Sequence, residues 1–194
     1  MKRGPRTDAL RRTVRIAVVG PTSMTWDEIA DDVEPDLARL RRPGVEVAYV
    51  LTGAGPRSIT TDDDERAAAP HVVGTVERCA REGFDGVIID CTGDPGLEQA
   101  RRRVAIPVIG AGQAVGRASA HATPPLVVLS GDLLRASTQD ELLEQVRRAR
   151  TVALGGTGWS HLVPMLAGDG RVVLDPLDVA LEECVARIAG NQPG

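Results

Sequence analysis

The residue best placed to do chemistry in this sequence is Cys91. It follows an apolar run, Val87-Ile88-Ile89, within Asp90-Cys91-Thr92-Gly93-Asp94-Pro95-Gly96. That pattern sets a thiol at the carboxyl end of a buried strand, ahead of a helix expected over 96–102. The positive end of such a helix would favour thiolate over thiol, and Thr92 and Gly93 offer donors at the same spot. A lone strand-end cysteine also serves as an inert small hydrophobe, but its glycine and hydroxyl neighbours favour the reactive reading. The other two cysteines sit differently. Cys79 falls inside a helical stretch, and Cys184 lies in Glu182-Glu183-Cys184-Val185, where the acidic flank would raise its pKa. Both read as packing residues.

Other strand ends could complete a site, because ligands of open α/β sheets collect outside the carboxyl ends of strands. In Gly20-Pro21-Thr22-Ser23-Met24-Thr25 the small hydroxyl residues can cap a helix or help its free N–H groups hold an anion. The loop from Thr52 to Thr60 has neither GxGxxG nor a P-loop; it is a surface loop, or one that folds over a substrate with Arg57 and Ser58 as donors. The run Gly155-Gly156-Thr157-Gly158-Trp159-Ser160 is poor enough in side chains to let a ligand approach the backbone, or to form a tight turn. His161, just after it, is a capping or surface histidine, or an acid–base group. The candidate binding set is Pro21, Thr22, Ser23, Ser58, Thr92, Gly93, Gly156, Thr157 and Gly158, around Cys91.

These loops need a frame. Short β-branched runs at 14–19, 45–51, 86–90, 107–110, 126–129, 151–154 and 171–174 alternate with helical stretches at 26–40, 63–82, 96–102, 112–120, 139–148, 161–167 and 177–189. That alternation predicts an α/β fold with parallel sheets flanked by helices. Pro43-Gly44 stops the first helix, and Ser137 or Thr138 could cap the one beginning near Gln139. Pro124-Pro125 blocks helix continuation and makes 120–125 the natural break between lobes.

Composition excludes several function classes. With 194 residues and a net charge of −4, the chain has no global positive field to draw in nucleic acid. Four aromatic residues (Trp26, Tyr49, Phe84 and Trp159) are too few for a base-stacking platform. Arginines cluster at 3, 6, 11, 12 and 15, and residues 1–12 read as a basic, disordered tail. Apolar runs are far too short to span a membrane or serve as an export signal. An odd number of cysteines without CxxC spacing reads as free thiols in a reducing, cytoplasmic setting. The three histidines show no ligand spacing, so no metal site is expected.

Taken together, the strand ends resemble the aspartate/glutamate/hydantoin racemase superfamily, and its hydantoin racemase branch in particular. The resemblance is carried by Gly55-Pro56-Arg57-Ser58-Ile59, Asp64-Glu65, Ala69-Pro70, Cys91-Thr92-Gly93-Asp94-Pro95-Gly96-Leu97 and Ile106-Pro107-Val108-Ile109-Gly110, a block spanning 45–116. Gly20-Pro21-Thr22-Ser23 looks like the family's first-strand loop without its leading asparagine. The stretch from Val152 to Gly158 looks like the second half-site.

The resemblance implies two pseudo-symmetric α/β lobes with the active site in the cleft between them. It places the first lobe at 13–116 plus 171–194 and a shortened second lobe at 117–170. It further implies no cofactor, a small carboxylate or cyclic amide as substrate, and a homo-oligomer as one assembly seen in the family. Family members face a cysteine from each lobe toward the substrate; Cys91 falls on the first, and Gly156 stands where the second belongs. Moving a proton between opposite faces of a carbon needs an acid and a base on opposite sides, so a single thiol predicts one-sided proton transfer or addition, of isomerase or epimerase type. The developing enolate or carboxylate would be held by backbone N–H groups near Thr22, Ser23, Thr92 and Thr157, with Arg57 the only nearby cation in the matched block. The alternatives are a decarboxylase, with arylmalonate decarboxylases resembling a mirror arrangement in which the single cysteine sits on the other lobe, and a non-catalytic, acid-binding or scaffold member. A further alternative lets Ser160 or His161 replace the lost thiol.

Overall fold

The computed structural model describes residues 12–190. Its first sheet holds β1 (Val14–Gly20), β2 (Val45–Leu51), β3 (Gly86–Ile89) and β4 (Val108–Gly110), all parallel, in the order β2-β1-β3-β4. The second holds β5 (Leu126–Ser130), β6 (Thr151–Gly155) and β7 (Val172–Leu174), also parallel, in that order. The helices are α1 (Trp26–Leu40), α2 (Asp62–Arg81), α3 (Leu97–Arg101), α4 (Ala111–Ala120), α5 (Gly131–Ala136), α6 (Gln139–Val146), α7 (Val163–Leu166) and α8 (Pro176–Gly190). The expected two-lobe α/β architecture with parallel sheets flanked by helices is therefore present.

Strand alternation sorts the first lobe's core into two layers. Ile16, Val18, Ile88 and Ile109 face α4 and α8, where Leu177, Leu181, Cys184 and Ile188 meet them. Ala17, Val19, Val87 and Ile89 face the other way, onto Val72, Val76 and Cys79 of α2 and Leu97 of α3. Cys79 and Cys184 are thus packing residues, as their sequence context suggested. Burial is the main cause that pushes Cys184 up to about 12, ahead of its acidic neighbour Glu183. A smaller core of Leu129, Leu142, Val146, Val152, Leu154 and Leu166 serves the second lobe.

Helix starts follow local chemistry. Thr25 and Glu28 form a capping box on α1, Thr61 and Asp64 on α2, and Thr138 and Glu141 on α6. Four sequence expectations need correction. The helix expected over 161–167 is a 3₁₀ turn, Ser160–Leu162, leading into the four-residue α7. Strand β7, assigned by sequence to the first lobe, pairs with β6, so the chain returns to the first lobe only with α8. Helix α4 runs unbroken through residue 117, and Arg117 pairs with Glu183 of α8 at 2.7 Å, so 117–120 stay with the first lobe. Arg12, placed in the tail, pairs with Asp85; the rest of that tail, 1–11, lies outside the described residues.

Candidate active site

Cys91 stands one residue past Asp90, at the carboxyl end of β3, half-buried where two cavities between the lobes meet. The inner cavity, about 260 Å³, is closed by Pro21 and Thr22 after β1, by Ile29, Val33 and Asp36 of α1, and by Tyr49, Ile59, Asp90, Thr157 and Gly158. The outer cavity, about 300 Å³, is lined by Glu65 of α2, by Thr92 and Gly93, by Ser130, Asp132 and Arg135 at the start of α5, and by Gly155, Gly156, Thr157 and Trp159. Both lobes contribute to each. A larger depression of about 600 Å³ lies elsewhere, between α2 and α3, and includes none of these residues.

Tyr49 reaches from β2 across β1 to Asp90, donating its hydroxyl to Oδ2 at 2.6 Å. Gly20 makes that reach feasible, because a Cβ there would sit 2.6 Å from the tyrosine oxygen. The hydroxyl of Thr157, from the second lobe, also supports the Asp90 carboxylate. Burial nevertheless dominates and raises the carboxyl to about 6. Its Oδ1 is buried and has no hydrogen-bond partner among the described residues. Burial and the Asp90 charge push the Tyr49 phenol well above its ordinary range, so it remains a donor.

The thiol of Cys91 is not the thiolate its sequence context suggested. Burial pushes it up to about 11; the Gly93 N–H lowers it, while the charges of Asp90, Glu65 and Asp94 oppose ionisation. The helix expected to stabilise the anion has only five residues and begins at Leu97, too short and too far along the chain to outweigh burial. Near neutral pH the free protein therefore carries a neutral thiol, a proton donor. The loop around it is pinned by Asp94, whose carboxylate accepts from the N–H groups of Gly112 at 3.0 Å and Gln113 at 2.7 Å.

Of the residues singled out in sequence, Pro21, Thr22, Thr157 and Gly158 line the inner cavity, and Thr92, Gly93, Gly156 and Thr157 line the outer one. Glu65 lies directly over Gly93, where a Cβ would come within 1.9 Å of its Oε1. Two are not brought in. The Ser23 N–H is used on the Pro56 carbonyl at 3.0 Å, and Ser58 is exposed while its neighbour Ile59 lines both cavities. Arg57 turns outward to Glu28 at 2.6 Å and lines neither cavity. Ser160 bonds the Asp36 carboxylate, and His161 is exposed. Sequence reasoning gave no role to Tyr49, Asp90, Glu65, Asp132 or Arg135. Asp90 had a signal, a polar group at the end of an apolar strand, whereas Tyr49 lies inside β2; the last two sit on α5, a helix too short to show a period.

Gly156 faces Cys91's side of the cleft with no functional group. A Cβ built there would meet the Trp159 ring at 3.3 Å. The lobes are also tied by the Thr92 hydroxyl, which donates to the Gly155 carbonyl at 3.3 Å. The arrangement supplies one thiol, a cluster of carboxyls and a backbone-rich loop, which suits proton transfer at one face of a bound carbon.

Known proteins resemble this chain in sequence and in fold. The sequence model of the family described as Asp/Glu/Hydantoin racemase matches residues 16–132. Over 177 residues the chain is 29% identical to a hydantoin racemase of Paenarthrobacter aurescens, covering 89% of this chain and 72% of that protein. Among solved structures, the allantoin racemase from Klebsiella pneumoniae superposes with a TM-score of 0.76 at 22% identity, over 91% of this chain and 88% of that one. A double mutant of arylmalonate decarboxylase superposes with a TM-score of 0.61 at 14% identity, over 94% and 97% of the two chains. Among the described residues no helix is long and apolar enough to cross a membrane.

Proposed function

The chain belongs to the Asp/Glu/hydantoin racemase family, and from that membership we propose that it is a cofactor-independent, isomerase-type enzyme acting on a carbon acid, a small cyclic amide or carboxylate. The observation that carries the reading is the position of Cys91, half-buried at the junction of two cavities walled by both lobes. In this mechanism the neutral thiol gives its proton to the α-carbon of a bound enolate on the first-lobe face. The resulting thiolate, supported by the Gly93 N–H, removes the α-proton of the next substrate from that same face to give its enolate, and inversion follows when solvent protonates this enolate from the opposite face, where Gly156 offers no group. Negative charge developing on the substrate oxygen is met by backbone N–H groups of the loops at Thr22, Thr92 and Thr157.

The test is deuterium wash-in at the α-carbon of 5-substituted hydantoins and small α-substituted acids in D₂O. Exchange is expected with the native protein and is expected to fall by about 10²–10⁴-fold in Cys91→Ala. Full exchange in that variant overturns thiol catalysis. A second reading is favoured by Gly156: with no group on the second-lobe face, protonation of an enediolate after decarboxylation needs nothing more than Cys91. Release of CO₂ from an α-substituted malonate, with no wash-in on any carbon acid, selects that reading.

A further inference from the structure

We infer that the open edge of β5 pairs with a second copy of this chain, the two β5 strands running antiparallel across a two-fold axis at Val128. The pairing is independent of the chemistry at Cys91.

The two sheets differ by one strand. In the first, β1 has a neighbour on each side, β2 and β3; in the second, β5 has β6 on one side and, among the described residues, no strand on the other. Pairing with β6 uses the backbone of every second residue. The Pro125 carbonyl accepts from the Thr151 N–H at 3.2 Å, which sets Val127 and Leu129 inward in the same phase. Leu126, Val128 and Ser130 therefore turn their N–H groups outward, where none has a hydrogen-bond partner among the described residues.

A free, apolar strand edge is a template for another strand, and the other three edges are blunted. Strand β2 carries Glu46, while β4 and β7 have three residues each. The outward carbonyl of Val108 on β4 is already taken by Arg101 Nε at 3.0 Å. Strand β5, Leu-Val-Val-Leu-Ser, has five residues and no charge. At its centre Val128 is 57% exposed, one of three large apolar side chains left in solvent among the described residues, with Trp26 and Val172.

A second copy fits because this edge is its own complement. Overlapping the whole strand with its two-fold mate sets Val128 opposite its counterpart, each donating its N–H to the other's carbonyl. At either end the Ser130 N–H meets the carbonyl of the partner's Leu126. The two Val128 side chains cover each other on one face, and no like charges meet because neither strand carries any. Five residues a side bury less than the roughly 800 Å² per partner of a standard interface, so the dimer is weak and concentration-dependent. Ser130 also lines the outer cavity, so the pairing brings the partner's Leu126 to its rim.

The experiment is sedimentation velocity on the full chain from micromolar to near-millimolar concentration. The native chain is expected to pass from monomer to dimer over that range. Val128→Lys, which sets two ammonium groups together on the axis, is expected to stay monomeric throughout. Val128→Cys tests the register, because Cα atoms of a hydrogen-bonded antiparallel pair lie about 5.5 Å apart, within disulfide reach. With oxidised glutathione as oxidant it should link two chains about tenfold faster than Val172→Cys, whose site on β7 is equally exposed, at 56%. A native chain that is monomeric at every concentration, association that persists in Val128→Lys, or equal linking of the two cysteine variants each overturns the inference. The first of these results would leave β5 to a strand from a different protein. Should Val128→Lys not fold, the cysteine pair decides alone.

Discussion

The loops that follow β3 and β6 face each other across the cleft, each leaving an inner strand of its sheet, yet they are chemical opposites. The loop after β3 carries a thiol between two aspartates, all three pushed upward in pKa by burial. The loop after β6 carries Gly155, Gly156, Thr157 and Gly158, and offers a backbone and one hydroxyl. The difference locates proton chemistry on one face of the cleft and shape on the other. Substitutions on the two sides should therefore differ in kind as well as in size.

The largest contrast is expected between Cys91→Ser and Gly156→Ala. The serine hydroxyl is a far weaker acid than the thiol and should lower α-proton exchange by about 10²–10⁴-fold. Alanine at 156 adds one methyl against the Trp159 ring at 3.3 Å, a contact that a small ring shift relieves. Exchange should stay within about tenfold of the native rate in that variant, as read by mass spectrometry of recovered substrate in D₂O. Comparable losses on both sides would mean that the loop after β6 supplies more than shape.

Gly156→Cys sharpens the comparison by giving the second face a thiol. Its Cβ takes the same tight contact with Trp159, at the wall of a cavity that Cys91 also lines. Racemisation, followed by optical rotation with either antipode of a 5-substituted hydantoin, should rise by about 10²-fold over the native chain, the usual worth of one positioned proton donor. An unchanged rate would show that proton supply to the second face is not what limits inversion.

How much of this was legible beforehand differs between the two regions for physical reasons. Strands such as 45–51 and the caps at Thr25 and Thr138 are written locally, in β-branched runs and in hydroxyl–carboxylate spacing, and could be read directly. Cys91 could also be placed, because a thiol after Val87-Ile88-Ile89 must stand at a strand end. Its protonation could not. The sequence showed a helix to follow, but the protonation depends on burial in the folded protein and on Glu65, which folding brings close to join the chain neighbours Asp90 and Asp94. Asp90 was visible as a neighbour, while its state depends on Tyr49, 41 positions away, passing over Gly20. Helix α5, which delivers Arg135, has six residues and begins with glycine, so it left no periodic trace. The lobe membership of β7 is a matter of pairing, which its three residues do not encode.

A smaller effect belongs to the first-lobe carboxyl. The pKa of Asp90 is raised from 3.8 to about 6 in the folded protein, chiefly by burial. Its stabilising contribution is therefore fully present below the ordinary carboxyl range and is lost as pH rises through about 6. A shift of that size corresponds to about 3 kcal/mol at most. Asp90→Asn, uncharged at every pH, should raise the melting temperature at pH 8 and change it little at pH 4. A variant equally destabilised at both pH values would place the worth of Asp90 in its bond to Tyr49 instead.

The smallest effects are expected just beyond the glycine loop, where a replacement for the lost thiol would have to be found. The Ser160 hydroxyl is committed to Asp36, a contact that links the 3₁₀ turn of the second lobe to α1. Ser160→Ala should cost about 0.5–1.5 kcal/mol of stability, the ordinary worth of such a bond, and leave exchange in place. His161 is exposed, lines neither cavity, and stacks loosely on Trp159 with ring centroids 5.9 Å apart. His161→Ala should leave both the exchange rate and its stereochemical course unchanged, as followed by wash-in on each antipode separately. Loss of exchange on one antipode alone in either variant would reveal a second proton donor on the glycine side. The contrast between the two loops would then be one of residue type, and no longer one of function.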